Sequence, residues 1–553
     1  MTEPRTPTAV DRAAERRLAD LCSLQPEWLV ELGRPAHDGA YADLSPEGHA
    51  ERADAARRAR REAAALESAD AVDEVTRTEL LRTLDLELEQ YDAGTWRHDL
   101  NVIASPVQSV RDVFDLMPAD SEQDWSDVAA RLGRVPAALA GYTQSLRSGI
   151  EHHQTPARRQ VREVAAQARR QEATGGFFDE LVERAETGGV PGSLVADVRR
   201  GAGVAKAAYG ALAQFLELEL APAARERDAV GRDAYTLASR EFLGASIDLD
   251  ETYAWGLEEL RSMVAEQEAV AREILPGASV AEAIAHLEAD PARRVVGTEA
   301  LQAWMQTVSD RAVDALAGIH FHVPDVMRRL ECRIAPTQEG GIYYTPPSED
   351  FARPGRMWWS VPAGVEEFDT WRELTTVYHE GIPGHHLQCG YAVWNAAELN
   401  AWRRTALWTS GHGEGWALYA ERLMADLGHL DDPADRLGML DAQRMRAARV
   451  VLDLGVHLEK PRPDGQGTWD AEYAFAFMSD HVSMSEPFVR FEVNRYLGWA
   501  GQAPSYKVGQ RIWEQIRDAW RAAHPGQDLR DFHSRALRLG SVGLETLQRT
   551  LTP

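Results

Sequence analysis

The chain has 553 residues, 60 of them Lys or Arg and 87 Asp or Glu, giving a formal charge of −27 at pH 7. That balance excludes nucleic acid and anionic membrane surfaces as expected partners. With 44% hydrophobic residues, 27% charged residues and 16 Trp, the composition is that of a folded protein rather than a disordered one.

The opening MTEPRTPTAVDRAAERRLAD contains no apolar run, and no later segment approaches about 18 uninterrupted apolar residues, so neither a signal peptide nor a membrane span is expected. Residues 11–92 carry apolar positions at helical spacing in Ala-, Arg- and Glu-rich tracts, which predicts several long helices. The run Arg57-Arg58-Ala59-Arg60-Arg61 is interspersed with acids and reads as a solvated helix face. Asn101 to Pro118, with Pro106 inside it, reads as a helix interrupted by loops. Helical patterning resumes over 125–220, punctuated by Gly175-Gly176, Gly188-Gly189 and Pro191-Gly192, and continues through 225–273 and 279–317. His152 and His153 are adjacent on a helix and point apart, so they are read as a helix end rather than a metal site.

Composition changes at Gly318. Aromatic and β-branched residues with Gly-Pro punctuation over 318–361 predict two or three short strands flanking a cleft. Gly340-Gly341-Ile342-Tyr343-Tyr344 is either an ordinary hairpin or an edge to which an extended substrate could add, with Tyr343 and Tyr344 as substrate contacts. His320 and His322 are assigned a structural role. Cys22, Cys332 and Cys389 are too widely spaced for a disulfide framework or a C-x-x-C metal pair, which points to the cytoplasm. Cys389 is read as a packing residue.

A helix with apolar residues at 371, 374 and 378 leads into Tyr378-His379-Glu380-Gly381-Ile382-Pro383-Gly384-His385-His386-Leu387-Gln388. Two histidines sharing one helix face with an intervening Glu can hold a zinc ion while the Glu serves as general base. Here His385 and His386 lie six and seven residues after His379, too far along a regular helix to share an ion. Pro383, Gly381 and Gly384 therefore predict a local bulge that draws His385 back, with His386 as a substrate contact. A second helix begins in Gly411-His412-Gly413-Glu414-Gly415-Trp416. Its Glu414, 29 positions after His385, is placed to supply a third ligand, and Glu421, two turns further on, to orient a ligand from behind. His412 is either a helix-start residue or a cleft contact. Further on, His481, Arg495, Tyr496, Tyr506 and Lys507 offer cleft groups. Tyr506 is the first choice for oxyanion stabilisation, with His481 or His386 assisting, and Arg495 and Lys507 could recognise a terminal carboxylate.

Three blocks now stand in order: H-E-x-x-P-G-H-x-x-Q from His379 to Gln388, E-G-W-A-x-Y-x-E from Glu414 to Glu421, and R-Y-x(5)-Q-A-x-S-Y-x-x-G from Arg495 to Gly509. Together they resemble the DUF885 family of bacterial proteins, which is similar in fold to the helical metallocarboxypeptidases of family M32. The second block is also similar to the segment supplying the third zinc ligand in M1 aminopeptidases. The resemblance implies Zn2+ held by His379, His385 and Glu414, with Glu380 as general base. It also implies a mainly α, metallopeptidase-like body with a central cleft and a small flanking β-sheet, organised as a helical region over 1–317 and a metal-site region over 318–553 within one continuous unit. The expected activity is that of a zinc peptidase, of carboxypeptidase or dipeptidase type, acting on a peptide or small amide. The alternatives are a zinc hydrolase of another amide or ester, or an inactive helical peptide-binding scaffold. A homodimer is left open.

Overall fold

Helix starts follow local capping chemistry. Ser279 and Glu282 cap each other's backbone N–H groups before Val280–Glu288, and Asp248 Oδ1 accepts from the N–H groups of Asp250 and Glu251 at the start of α1 (Leu249–Ile274). Pro106 occupies the first position of Pro106–Leu116, where a missing N–H costs nothing. The interrupted helix expected over 101–118 is thus a turn, tied by Asn101 Oδ1 to the N–H groups of Ile103 and Ala104, followed by one unbroken helix.

The computed structural model describes residues 5–335 and 341–552. The protein is mainly α, with two small sheets formed by β1 (Arg294–Val296), β2 (Leu330–Ile334), β3 (Ile342–Thr345), β4 (Gly355–Trp359) and β5 (Glu367–Asp369). β1 corrects the all-helical expectation for 279–317. A three-residue strand between two helices carries no readable alternation, yet it pairs antiparallel with β5, Val295 opposite Phe368. The second sheet has the order β2-β4-β3. β2 runs parallel to β4 with Cys332 opposite Met357, and β3 runs antiparallel to it with Tyr344 opposite Met357, which leaves β3 at an edge. Gly340 of the predicted edge segment lies outside the described residues. Residues 318–322, included in the strand-rich stretch, form a turn closed by a single bridge from Ala317 to Phe321.

Five further helices frame the site: α2 (Thr370–Glu380), α3 (His385–Trp394), α4 (Ser410–Asp426), α5 (Pro433–His457) and α6 (Ser505–Ala523). One hydrophobic core lies wholly within residues 30–224, centred on Leu132, Tyr142, Phe178, Tyr209 and Leu216. A larger core joins Ala14, Leu18 and Leu80 near the N-terminus to Trp416, Val450, Trp513 and Leu547. Packing therefore runs straight across the 317/318 division. α1 and α5 meet so closely that a Cβ on Gly256 would lie 2.9 Å from Val450 Cγ1. A third, smaller core of Leu301, Met305, Cys332, Met357, Trp359 and Val377 seats the three-stranded sheet against Thr298–Leu316 and α2, which fixes the helix that carries His379.

Among the described residues no helix is long and apolar enough to cross a membrane, and Cys22, Cys332 and Cys389 are all free thiols.

Candidate metal centre

α2 buries Trp371, Val377 and Tyr378, and this apolar face presents His379 and Glu380 at its C-terminal end. The helix stops there. The Gly381 N–H still bonds to Val377 O (2.9 Å), but the chain then turns through a cis Ile382–Pro383 peptide. The Gly384 N–H returns to Tyr378 O (3.1 Å), and α3 begins at His385. The bulge expected inside one helix is therefore a complete break between two. The reversal needs backbone contact that only glycine permits, since a Cβ on Gly384 would lie 1.8 Å from His379 O. Trp416 of α4 locks the turn by donating its indole N–H to Pro383 O (2.8 Å).

α4 and α6 touch backbone to backbone. A Cβ on Gly415 would lie 2.4 Å from Gly509 C, and one on Gly509 would lie 2.2 Å from Gly411 O. This contact sets Glu414, on the first turns of α4, beside Tyr506, one turn before Gly509 on α6.

The result is a cluster in which one nitrogen each of His379 and His385 and one oxygen of Glu414 lie within 4.8 Å of one another. Both Nε2 atoms face the same Glu414 Oε2, at 3.3 Å from His379 and 3.5 Å from His385, and the imidazole rings stand nearly perpendicular with centroids 4.9 Å apart. Donors each about 2.0–2.1 Å from a tetrahedral zinc are separated by about 3.3–3.4 Å, so these separations match edges of such a polyhedron. The electrostatics favour a cation at this point. Burial opposes charge on His379, but the carboxylates of Glu414 and Glu421 outweigh it and push the imidazole up to about 9. Burial of Glu414 is likewise outweighed by His385 and His379, which hold its carboxyl well below the usual range. Behind His379, Glu421 Oε1 lies 2.7 Å from Nδ1, and Thr375 Oγ1 (3.0 Å) and Gln443 Nε2 (3.2 Å) donate to its other oxygen. The donor set and the support behind it fit a divalent metal of the zinc type.

The cluster forms the floor of a cavity of about 850 Å³. Glu380 also opens on it and, among the described residues, makes no hydrogen bond. Burial raises its pKa, partly countered by the neighbouring histidines. Tyr506 lines the same floor, its phenol pushed up to about 12 by burial and by the Glu414 charge. Ile342, Tyr343 and Tyr344 of edge strand β3 form one wall, and Tyr343 stacks on Trp358. The rim is apolar: Trp408, Tyr343, Met484 and Phe488 all line the cavity and are exposed.

Other predicted contacts lie elsewhere. His386 is fully buried, with Nδ1 on Tyr344 OH (2.8 Å) and Nε2 on Met327 O (2.8 Å), so it supports the cavity wall and has no nitrogen left for substrate. Arg495 is buried against Glu492 (3.0 Å) and Gln502 (2.7 Å), and the Tyr496 hydroxyl bonds to the same Glu492. Lys507 turns away from the cavity to Gln443 (2.8 Å), Gln510 (3.1 Å) and Glu259 (2.9 Å). His481 packs on Phe477 and bonds to Arg444 (3.2 Å), outside the cavity. Lys507 is next to Tyr506 on α6 but points about 100° around the helix from it, and Arg495 and Tyr496 turn to Glu492 of their own helix. His412 starts α4 but is buried against Trp513, and His322 bonds to Tyr391 OH (3.0 Å). Cys389 lines the cavity and donates its thiol to Gln388 Oε1 (3.1 Å).

Sequence reasoning passed over the arginines of the cavity, Arg372, Arg404, Arg446 and Arg449. The signal was present in α5, where Gln443, Arg446, Arg449 and Asp453 recur every three or four residues and run into its buried apolar second half. Such a polar stripe needs polar company.

No curated protein matches this chain. Solved structures do, two of them covering 98% of it each. One is described as "the putative lipoprotein from Colwellia psychrerythraea" (21% identity, TM-score 0.83, 98% of that chain covered). The other is described as "a putative lipoprotein of unknown function from Shewanella oneidensis" (16%, 0.75, 100%). At these identities the likeness is one of fold. The family model described as "Bacterial protein of unknown function (DUF885)" matches residues 26–551, nearly the whole length, and the chain belongs to that family.

Proposed function

We propose that this protein is a zinc-dependent hydrolase of peptide bonds or closely related amides. The observation that carries this reading is the convergence of His379, His385 and Glu414 on the floor of a large cavity beside Glu380, a buried carboxylate that makes no hydrogen bond among the described residues. A zinc ion held there would polarise a substrate carbonyl and make a water acidic enough to lose its proton near neutral pH. Glu380 takes up that proton and returns it to the departing amine. Tyr506, kept neutral by its raised pKa, donates a hydrogen bond from its hydroxyl to the oxygen on which charge develops and retains its proton. Glu421 holds a proton on Nδ1 of His379 and so keeps Nε2 turned to the ligand cluster. β3, an edge strand on the cavity wall, offers its backbone to an extended substrate.

The expected resemblance in fold to M32 carboxypeptidases, and that of the Glu414 block to the third-ligand segment of M1 aminopeptidases, supports the same chemistry, and three free thiols suit a cytoplasmic setting. The test is metal content and cleavage together. Protein prepared without chelator and given zinc is expected to carry about one ion per chain and to cleave members of an unblocked peptide library. Fewer than about 0.1 ion per chain with no cleavage returns the protein to a helical scaffold. Turnover of esters or non-peptide amides alone reassigns the substrate.

A further inference from the structure

Four arginines line the cavity, and three of them are occupied. Arg372 pairs with Asp441 (3.2 Å) and Glu288 (3.1 Å), Arg404 with Glu349 (3.4 Å), and Arg449 with Glu492 (2.8 Å) and the Tyr496 hydroxyl (2.6 Å). Arg446 differs in its counter-charge. Like Arg404, it makes no side-chain hydrogen bond among the described residues and its Nε is buried without a partner, but its nearest opposite charge is Glu421 Oε1 at 3.8 Å, an oxygen already committed to His379. Its side chain is only 14% exposed. A guanidinium this enclosed ordinarily has a carboxylate in bidentate contact, and none is provided among the described residues.

Position makes the vacancy informative. The links from Arg446 to Glu421 (3.8 Å) and from Glu421 to His379 (2.7 Å) place the guanidinium just behind the ligand cluster, where its charge also acts on Glu380 and Tyr506. One residue of extended chain spans about 3.3–3.6 Å, so a carboxylate one or two residues beyond a carbonyl seated at the cluster comes within reach of Arg446. The net charge of −27 does not favour anionic ligands at long range, which makes a dedicated cation at the floor the more necessary for holding one.

We propose that Arg446 is the anchor for the free C-terminal carboxylate of the substrate, so that the enzyme is an exopeptidase acting on short peptides from their C-terminal end. The inference rests on the hydrolase reading for its substrate class, but not for the anchor itself. It moves carboxylate recognition from Arg495 and Lys507, both buried away from the cavity, to a residue on α5.

The experiment has two arms on the full-length, zinc-supplemented protein. In the first, an N-blocked Phe-Leu dipeptide is compared with its C-terminal amide. The acid is expected to be turned over with kcat/KM about 30- to 100-fold higher, the loss of one charge-assisted contact. Arg446→Gln is expected to erase that preference, bringing the acid-to-amide ratio of kcat/KM to within about threefold of one, and Arg446→Lys to restore part of it. In the second arm, N-acetyl-leucine and N-acetyl-leucine amide are titrated by calorimetry. Only the acid should bind, and only when Arg446 is present. Equal rates for acid and amide, a preference that survives in Arg446→Gln, or no binding of the acid each overturns the proposal while leaving peptide hydrolysis to stand or fall on its own measurement. Arg446-dependent binding with no turnover of any peptide establishes the carboxylate site and removes the hydrolase reading.

Discussion

Glu421 Oε1 lies 2.7 Å from Nδ1 of His379, in a buried position where Thr375 and Gln443 hold the other carboxylate oxygen. The arrangement fixes which imidazole nitrogen is protonated and leaves Nε2 for the ligand cluster. Glu421→Gln keeps an acceptor but removes the charge, and is expected to weaken zinc binding about 10- to 100-fold in a competition titration against a chromogenic chelator. An unchanged affinity would show that Glu421 serves packing alone.

Glu380 shares the cavity floor with the cluster but is not one of its three donors. Glu380→Gln is therefore expected to retain zinc at wild-type stoichiometry while kcat falls by about 10²–10⁴-fold, the usual worth of a positioned general base. Retained turnover in a stable variant would remove Glu380 from the chemistry.

Tyr506→Phe deletes one hydroxyl at the cavity floor and little else. If that hydroxyl meets charge only as it develops, kcat should drop about 10²–10³-fold with KM nearly unchanged. A rise in KM with kcat intact would instead make Tyr506 a ground-state contact.

The reversal after α2 can be probed at Gly384. A methyl group there would meet His379 O at 1.8 Å, and neither backbone segment can yield without moving a ligand. Gly384→Ala is expected to cost about 3 kcal/mol or more and to lower zinc stoichiometry as well. Gly203, in the helix Gly192–Phe215 with open space at its Cβ, is the control. Gly203→Ala should raise stability by about 0.5–1 kcal/mol with zinc content unchanged. Equal melting shifts for the two variants would contradict the close-contact account.

Asp453 supplies a pH test remote from the metal. Burial pushes its carboxyl up to about 7, against the hydrogen bonds it accepts from Tyr235 OH (2.7 Å) and the Gly501 N–H (3.0 Å). In the unfolded chain the group ionises near about pH 4. Between about pH 4 and 7 the unfolded chain thus releases a proton that the folded one keeps, so this residue's contribution to stability is greatest at low pH and is lost as pH rises to about 7. Asp453→Asn can accept both hydrogen bonds without ionising. Relative to wild type it should gain about 1–3 kcal/mol on going from pH 5 to pH 8 in denaturant melts. A constant difference across that range would mean that Asp453 does not hold its proton in the fold.

Some of this was legible in the residues and some was not. Helical periodicity, cap residues and the change of composition at Gly318 were enough for a mainly α protein with a small sheet, because these are local signals. The spacing of His379, His385 and Glu414 pointed to one another once Pro383 and the glycines were read as a break, although the sequence alone suggested a bulge rather than a full reversal. What could not be read was direction. Arg495, Tyr496 and Lys507 share a sequence block with Tyr506, yet Arg495 and Tyr496 turn to Glu492 on their own helix and Lys507 to Gln443 across the α5–α6 interface, which only tertiary packing defines. Arg446 carries no motif, and its importance appears only when every neighbouring cation has been matched to its carboxylate.

The bare contact between Gly411, Gly415 and Gly509 has a wider consequence. Where these glycines meet, no side chain separates α4 from α6, so at that crossing there is nothing to trim or enlarge that would alter the span from Glu414 to Tyr506. Change without consequence for that span is left to the mouth of the cavity, where the exposed Trp408, Met484 and Phe488 can be exchanged without moving Glu414 or Tyr506.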